Sequence, residues 1–154
     1  MRLRVLVVAA LAALALPSVA AAGTPKAKHH RGHDHARIAG TWSVQVTPDG
    51  EQPFQVLTTF TRDGSVIETE ADTPGTGLGA WKRVGGHRFA FAFQRFSFNE
   101  TGEPGGHVVV RGVATLSGDT FTAPFKFNIY DPAGNVVASG GGTATATRFV
   151  IPDF

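Results

Sequence analysis

The chain has 154 residues, with no cysteine, twelve Phe, two Trp, nineteen Gly and nine Pro, which excludes a disulfide-stapled scaffold and a long polar disordered chain. Its formal charge of +2 comes from Arg2 and Arg4: of 14 Lys and Arg, 12 remain beyond residue 22, facing 12 Asp and Glu. That balance is no sign of a nucleic-acid surface.

Residues 1–22 read as a secretory signal peptide. Arg2 and Arg4 make a positive start, an apolar run follows over residues 5–16, and Ala20, Ala21 and Ala22 offer a small-residue cleavage site. The run is shorter than the roughly 20 residues that a membrane span needs. The expected product is therefore secreted, with no membrane association after cleavage. Residues 23–37 lack apolar periodicity and read as a flexible tail that carries His29, His30, His33 and His35. Imidazoles at this density can bind Zn, Cu or Ni ions weakly. A solvated linker is the plainer expectation, because an unstructured tail loses entropy on binding a metal. No other cofactor is indicated.

A single domain is expected over residues 38–154. Seven clusters of turn residues cut it into eight short segments rich in alternating apolar and β-branched residues. Strand one (residues 41–46) places Trp42, Val44 and Val46 on one face. Strand two (54–61) does the same with Phe54, Val56, Thr58 and Phe60. Strand three (65–71) sets Val66, Glu68 and Glu70 against Ile67 and Thr69. Strand four (78–84) contains Trp81.

Strand five (88–98) changes phase: Phe89, Phe91 and Phe93 share one parity and Phe96 and Phe98 the other, which predicts a bulge or corner near Gln94 and Arg95. Strands six (107–116) and seven (121–130) each present a continuous apolar face. Strand eight (136–149) contains Gly140, Gly141 and Gly142, which permit a bend or a close approach of another backbone. The expected fold is all-β, an eight-stranded antiparallel up-and-down barrel, with a two-sheet β-sandwich as the alternative. Closure is favoured because it removes both edge strands.

Gly40-Thr41-Trp42 resembles the opening of the calycin group of barrels, the lipocalins and their avidin-like relatives. The resemblance implies that Trp42 packs at the closed end and that Arg148, near the end of the last strand, lies across its ring as a structural seam. The Thr-Asp-Tyr motif and the C-terminal helix of lipocalins are missing, which points to a shorter barrel of calycin-like or allene oxide cyclase-like form.

Charged side chains are seldom buried unless paired, so Glu68, Glu70 and Asp72 are expected outside, with Ile67 and Thr69 inside. Arg111, Lys126 and Asn128 are expected outside too. Trp81, Arg95 and Tyr130 form the candidate ligand-binding rim, with Phe91 and Phe93 as apolar wall. No Cys nucleophile, Gly-x-Ser-x-Gly elbow or His-Glu-x-x-His motif is present, and no catalytic residue is assigned.

The leading functional expectation is a monomeric carrier of a small apolar or aromatic molecule that does no chemistry on it. The alternatives are a barrel cyclase or isomerase acting on a small hydrophobic substrate, and metal binding by the tail. A carboxylate together with a Tyr or Arg inside the cavity would favour the enzyme. A purely apolar cavity would favour the carrier.

Overall fold

Tight turns divide the domain where the sequence predicts, and the computed structural model describes residues 38–71, 73 and 75–153. The strands are β1 (Gly40–Pro48), β2 (Phe54–Phe60), β3 (Ser65–Glu70), β4 (Thr76–Gly85), β5 (Arg88–Phe98), β6 (Pro104–Ser117), β7 (Thr120–Tyr130) and β8 (Val136–Arg148). Each pairs antiparallel with its sequence neighbour, and β8 returns to β1, so the sheet is a closed barrel. The seam runs in register from Trp42 opposite Arg148 to Pro48 opposite Gly142. The signal-peptide and tail assignments, including His29, His30, His33 and His35, lie outside the described residues.

The turns explain the strand ends. The Asp131 carboxylate accepts hydrogen bonds from the Asn135 backbone N at 2.8 Å and from Asn135 Nδ2 at 3.0 Å. The Asn135 side chain, and then its backbone, hold the Asp131 carboxyl below its ordinary range. At the other end of the barrel, the short connection 118–119 turns on Gly118 at φ +58, which a residue with a Cβ seldom adopts. The C-terminal ends of β1, β3, β5 and β7 lie at one end of the barrel, and the shorter connections 61–64, 86–87 and 118–119 at the opposite end.

Alternation along the strands makes the short-loop end solid. Trp42 and Ile38 are fully buried there, joined by Phe60, Phe89, Trp81 and Phe121. The rings meet edge to face: Trp42 and Phe121 have centroids 5.0 Å apart at 61°, and Phe60 and Trp81 lie 6.3 Å apart at 87°. Such pairs add to the area term, which is itself roughly 1.5–3 kcal/mol for each large apolar side chain fully buried. The indole nitrogens are also satisfied. Trp42 Nε1 donates to the Ile38 carbonyl and Trp81 Nε1 to the Thr61 carbonyl, both at 2.9 Å.

Arg148 closes this end. Its guanidinium carbon lies 4.2 Å from the Trp42 ring centroid, Nη1 donates to the Ala39 carbonyl at 3.0 Å, and Nε donates to Asp119 at 2.8 Å. Gly40 is required beside it, since its φ is +130 and a Cβ there would stand 2.8 Å from Arg148 Nη1. The Gly-x-Trp opening and the terminal Arg thus serve one contact.

The predicted corner in β5 is absent. Its ladder with β6 runs unbroken from Arg88 to Ser97, and the register shifts only between Ser97 and Phe98. Phe96 and Phe98 are 64% and 57% exposed. The phase change in the sequence is therefore not a bulge: an inward Arg95 continues the Phe89–Phe91–Phe93 row, and the next aromatics point outward.

Replacing Arg148 with Met keeps an apolar stem over Trp42 while removing the charge and its donors. We expect Arg148→Met to lower the unfolding free energy by about 2 kcal/mol in urea titrations, with the far-UV spectrum of the folded state unchanged.

Candidate functional site: an aromatic cup with a buried carboxylate

Above the solid end the barrel encloses a cavity of about 410 Å³ that opens toward the longer loops. The described phenylalanines do not fill it: Phe96, Phe98 and Phe149 are exposed, and four inward rings lie against glycines on the neighbouring strand. Phe127 stands opposite Gly140 and Phe125 opposite Gly142, and a Cβ at these glycines would meet the rings at 2.6 and 2.8 Å. Phe91 lies against Gly112 in the same way, with a virtual contact of 2.7 Å, and Phe93 against Gly77 at 2.8 Å. The bare backbone lets each ring lie along the wall, so the middle stays open. The glycines of β8 thus admit side-chain rings, while β8 continues unbroken to Arg148.

The polar part of the cavity contradicts the expected placement of strand three. Val66 and Glu68 are 1% and 3% exposed, whereas Ile67 is 42% exposed, so the acidic face of β3 points inward and its aliphatic residue outward. The side chain of Glu70 is 11% exposed. The general rule against buried carboxylates gives way here because Arg95 on β5 faces both: its Nη1 lies 2.6 Å from Glu70 Oε2 and 3.7 Å from Glu68 Oε1. Closure also leaves β3 no choice of face, since register locks every second residue inside.

Gly77, opposite Glu68 on β4, makes the room, for a Cβ there would come within 2.7 Å of Glu68 Oε2. Thr58 faces Glu68 from the other side, on β2. Arg95 serves Glu70 first. Among the described residues, Glu68 Oε2 is buried and accepts no hydrogen bond. Its carboxyl is accordingly pushed up from 4.5 to about 7. Removal from water is the main cause; the Arg95 charge pulls down, and the Glu70 charge pushes up.

The predicted site residues divide. Arg95, Phe91 and Phe93 line the cavity. Trp81 is 5% exposed in the solid end, below the cavity. Tyr130 has outward parity on β7, stacks on His107 with centroids 4.5 Å apart and 8° between planes, and accepts a hydrogen bond from Asn128 Nδ2 at 3.3 Å. Trp81, Arg95 and Tyr130 therefore do not meet as a rim. The mouth is instead bordered by Glu51, Glu70, Arg95, Ile129 and Ser139. Glu51 sits in a turn, where sequence offers no directional signal. Val108, Val110, Phe125 and Phe127 are cavity wall, and the parity of strands six and seven already marked them as inward. Arg111 and Lys126 are exposed and Asn128 is half-buried.

Comparison of the chain with protein-family models, with curated proteins and with solved structures gives no match. The class defined by fold and cavity is a closed eight-stranded antiparallel barrel, solid at one end and hollow at the other, with one carboxylate buried in its wall.

Glu68 links this site to stability. Between about pH 4.5 and 7 the folded barrel holds a proton that the unfolded chain has released, so this group's stabilising contribution is full below that window and is lost as pH rises through it. At ~1.4 kcal/mol per pH unit the loss is on the order of 3 kcal/mol. Thermal unfolding at several pH values should show Glu68→Gln gaining on the parent protein as pH rises across this window. A constant difference between the two would place the titration elsewhere.

Proposed function

We propose that the chain is an exported, monomeric carrier of calycin-like form, which holds one small molecule with an aromatic or apolar body inside the cup. The observation that carries this reading is the open cavity of about 410 Å³, kept free because the Phe rings lie along glycine backbone. A volume of this size falls within the range of small-molecule pockets, and an apolar wall with few polar groups suits such a ligand. The seam of Trp42 and Arg148 supports the calycin-like form. The order of the ends supports the carrier reading further: a solid floor needs no ligand to be stable, so the cup can fill and empty.

A second reading is favoured by one observation. Glu68 and Arg95 stand together in the wall, the combination expected of a barrel isomerase or cyclase. A carboxylate that titrates near neutrality is suited to general acid–base work on a confined substrate. Product analysis separates the two: a carrier returns a bound molecule unaltered, whereas an isomerase returns a rearranged one.

Binding itself is tested with the neutral fluorophore N-phenyl-1-naphthylamine. The protein should bind one probe per barrel with micromolar affinity, and Val110→Trp, which places an indole in the cavity, should weaken it at least ~10-fold with the circular dichroism unchanged. No saturable binding by the parent protein would overturn the carrier reading. So would undiminished binding by Val110→Trp, which would put the probe on the outer wall, where Leu57, Ile67, Leu78 and Phe96 are exposed.

A further inference from the structure

The polar groups of the cavity are unequal in charge. Glu51, Glu68 and Glu70 face it, and Arg95 is the only cationic side chain among its described lining residues. Arg95 is held by Glu70 at 2.6 Å, with Glu68 Oε1 farther off at 3.7 Å. These contacts are ion pairs rather than hydrogen bonds: among the described residues both Arg95 Nη1 and Glu68 Oε2 are buried without a hydrogen-bond partner. With three carboxylates to one guanidinium, the surplus is of acceptors. Glu68 is 3% exposed, its Oε2 accepts no hydrogen bond among the described residues, and it belongs to the cavity wall. Buried acceptors normally find a partner, and leaving one unmade is costly. The missing donor would come from a molecule in the cup that Glu68 lines.

We propose that the cup selects a cationic amphiphile: a molecule with an aromatic-sized apolar body and a protonated amine head, the body against Phe91, Phe93 and Phe125 and the ammonium donating to Glu68. The inference rests on the carrier reading and names the class of its ligand. An ammonium group matches the site in three respects. It only donates hydrogen bonds, as an unmatched carboxylate oxygen requires. It balances the excess of carboxylate over guanidinium. Its hydrogen bond to a carboxylate is charge-assisted and therefore stronger than that of a neutral hydroxyl.

An anionic head, by contrast, would meet a single Arg95 flanked by the carboxylates of Glu70 and Glu68, with Glu51 also on the cavity lining to repel it. The apolar floor beyond Phe60 and Phe121 gives a charged group no second place to settle, so the molecule enters body first and the head stops at the level of Glu68. Among the charged groups that face this carboxylate, Glu70 is on its own strand, Arg95 on β5 and Glu51 in the β1–β2 connection. Its neighbours on β2 and β4, Thr58 and Gly77, carry no charge.

Three probes with one ring system separate the possibilities: 1-naphthylmethylamine, 1-naphthylmethanol and 1-naphthylacetate, each titrated calorimetrically into the full chain at about pH 8, where Glu68 is ionised. The amine should bind roughly ten-fold more tightly than the alcohol, and the carboxylate more weakly than the alcohol. Glu68→Gln should reduce the amine to the affinity of the alcohol while leaving the alcohol within about two-fold of its affinity for the parent protein.

The parent protein supplies an independent measurement. Lowering the pH from about 8 to about 6 should weaken the amine and spare the alcohol, because Glu68 takes up a proton in that range while the probe's ammonium stays charged. An amine no better than the alcohol at pH 8, or an amine preference intact in Glu68→Gln, overturns this inference alone. Failure of all three probes to bind overturns the carrier reading with it.

Discussion

The seam between β1 and β8 is the contact on which the rest of the structure depends. An up-and-down meander of eight strands has two free edges until its first and last strands meet, and only then does every inward side chain face a common interior. Trp42 provides the surface for that meeting: its indole is fully buried, its nitrogen is tied to the Ile38 carbonyl, and Arg148 lies over its face while reaching back to the Ala39 carbonyl. The contact ties residues separated by almost the whole domain, so its loop-closure entropy must be met by dense packing around it. The edge-to-face cluster of Trp42, Phe60, Phe89, Phe121 and Trp81 supplies that packing.

A solid floor changes what the upper half of the barrel can do. Since stability is concentrated at one end, the walls above need not meet in the middle, and rings can be laid against glycines. Four such pairs along β4, β6 and β8 leave a hollow centre in a barrel that has ample Phe to fill itself. The same hollow admits a buried carboxylate. Glu68 is tolerated because Arg95 is near, Gly77 gives way, and the stability it removes is small beside that of the closed end. Conflict between local preference and fold is characteristic of functional positions, and Glu68 is the clearest such conflict among the described residues.

Much of this architecture is legible in the amino-acid sequence. The turn clusters, from Pro48-Asp49-Gly50 to the Asp131–Asn135 loop, mark the strand ends to within a few residues, and the two-residue period of β1, β2, β6 and β7 correctly separates inner from outer wall. Two positions resist. In β5, Arg95 has the inward parity of Phe89, Phe91 and Phe93, but a charge breaks the apolar pattern and mimics a change of phase. In β3, either face is plausible from composition: Val66, Glu68 and Glu70 against Ile67 and Thr69. Solvation preference alone selects the wrong one. Tyr130 and Trp81 illustrate a different limit: Tyr130 ends β7 beside the longer loops but has outward parity, and Trp81, in the middle of β4, turns its ring into the solid end, so an amphipathic character alone places neither at the mouth.

By itself the sequence determined the strands and their antiparallel order, because these follow from turn chemistry and from a side-chain period of two, both local properties; the two ends of the seam, Trp42 and Arg148, were marked only by the resemblance of the Gly40-Thr41-Trp42 opening. Only the tertiary structure decided which face of β3 is buried, which Phe meets which glycine, and that Arg95 stands between Glu68 and Glu70. Those facts depend on the register between strands, and register is set by closure of the whole barrel. A carboxylate that would prefer water on a free strand is carried inward because the seam leaves its strand no other phase.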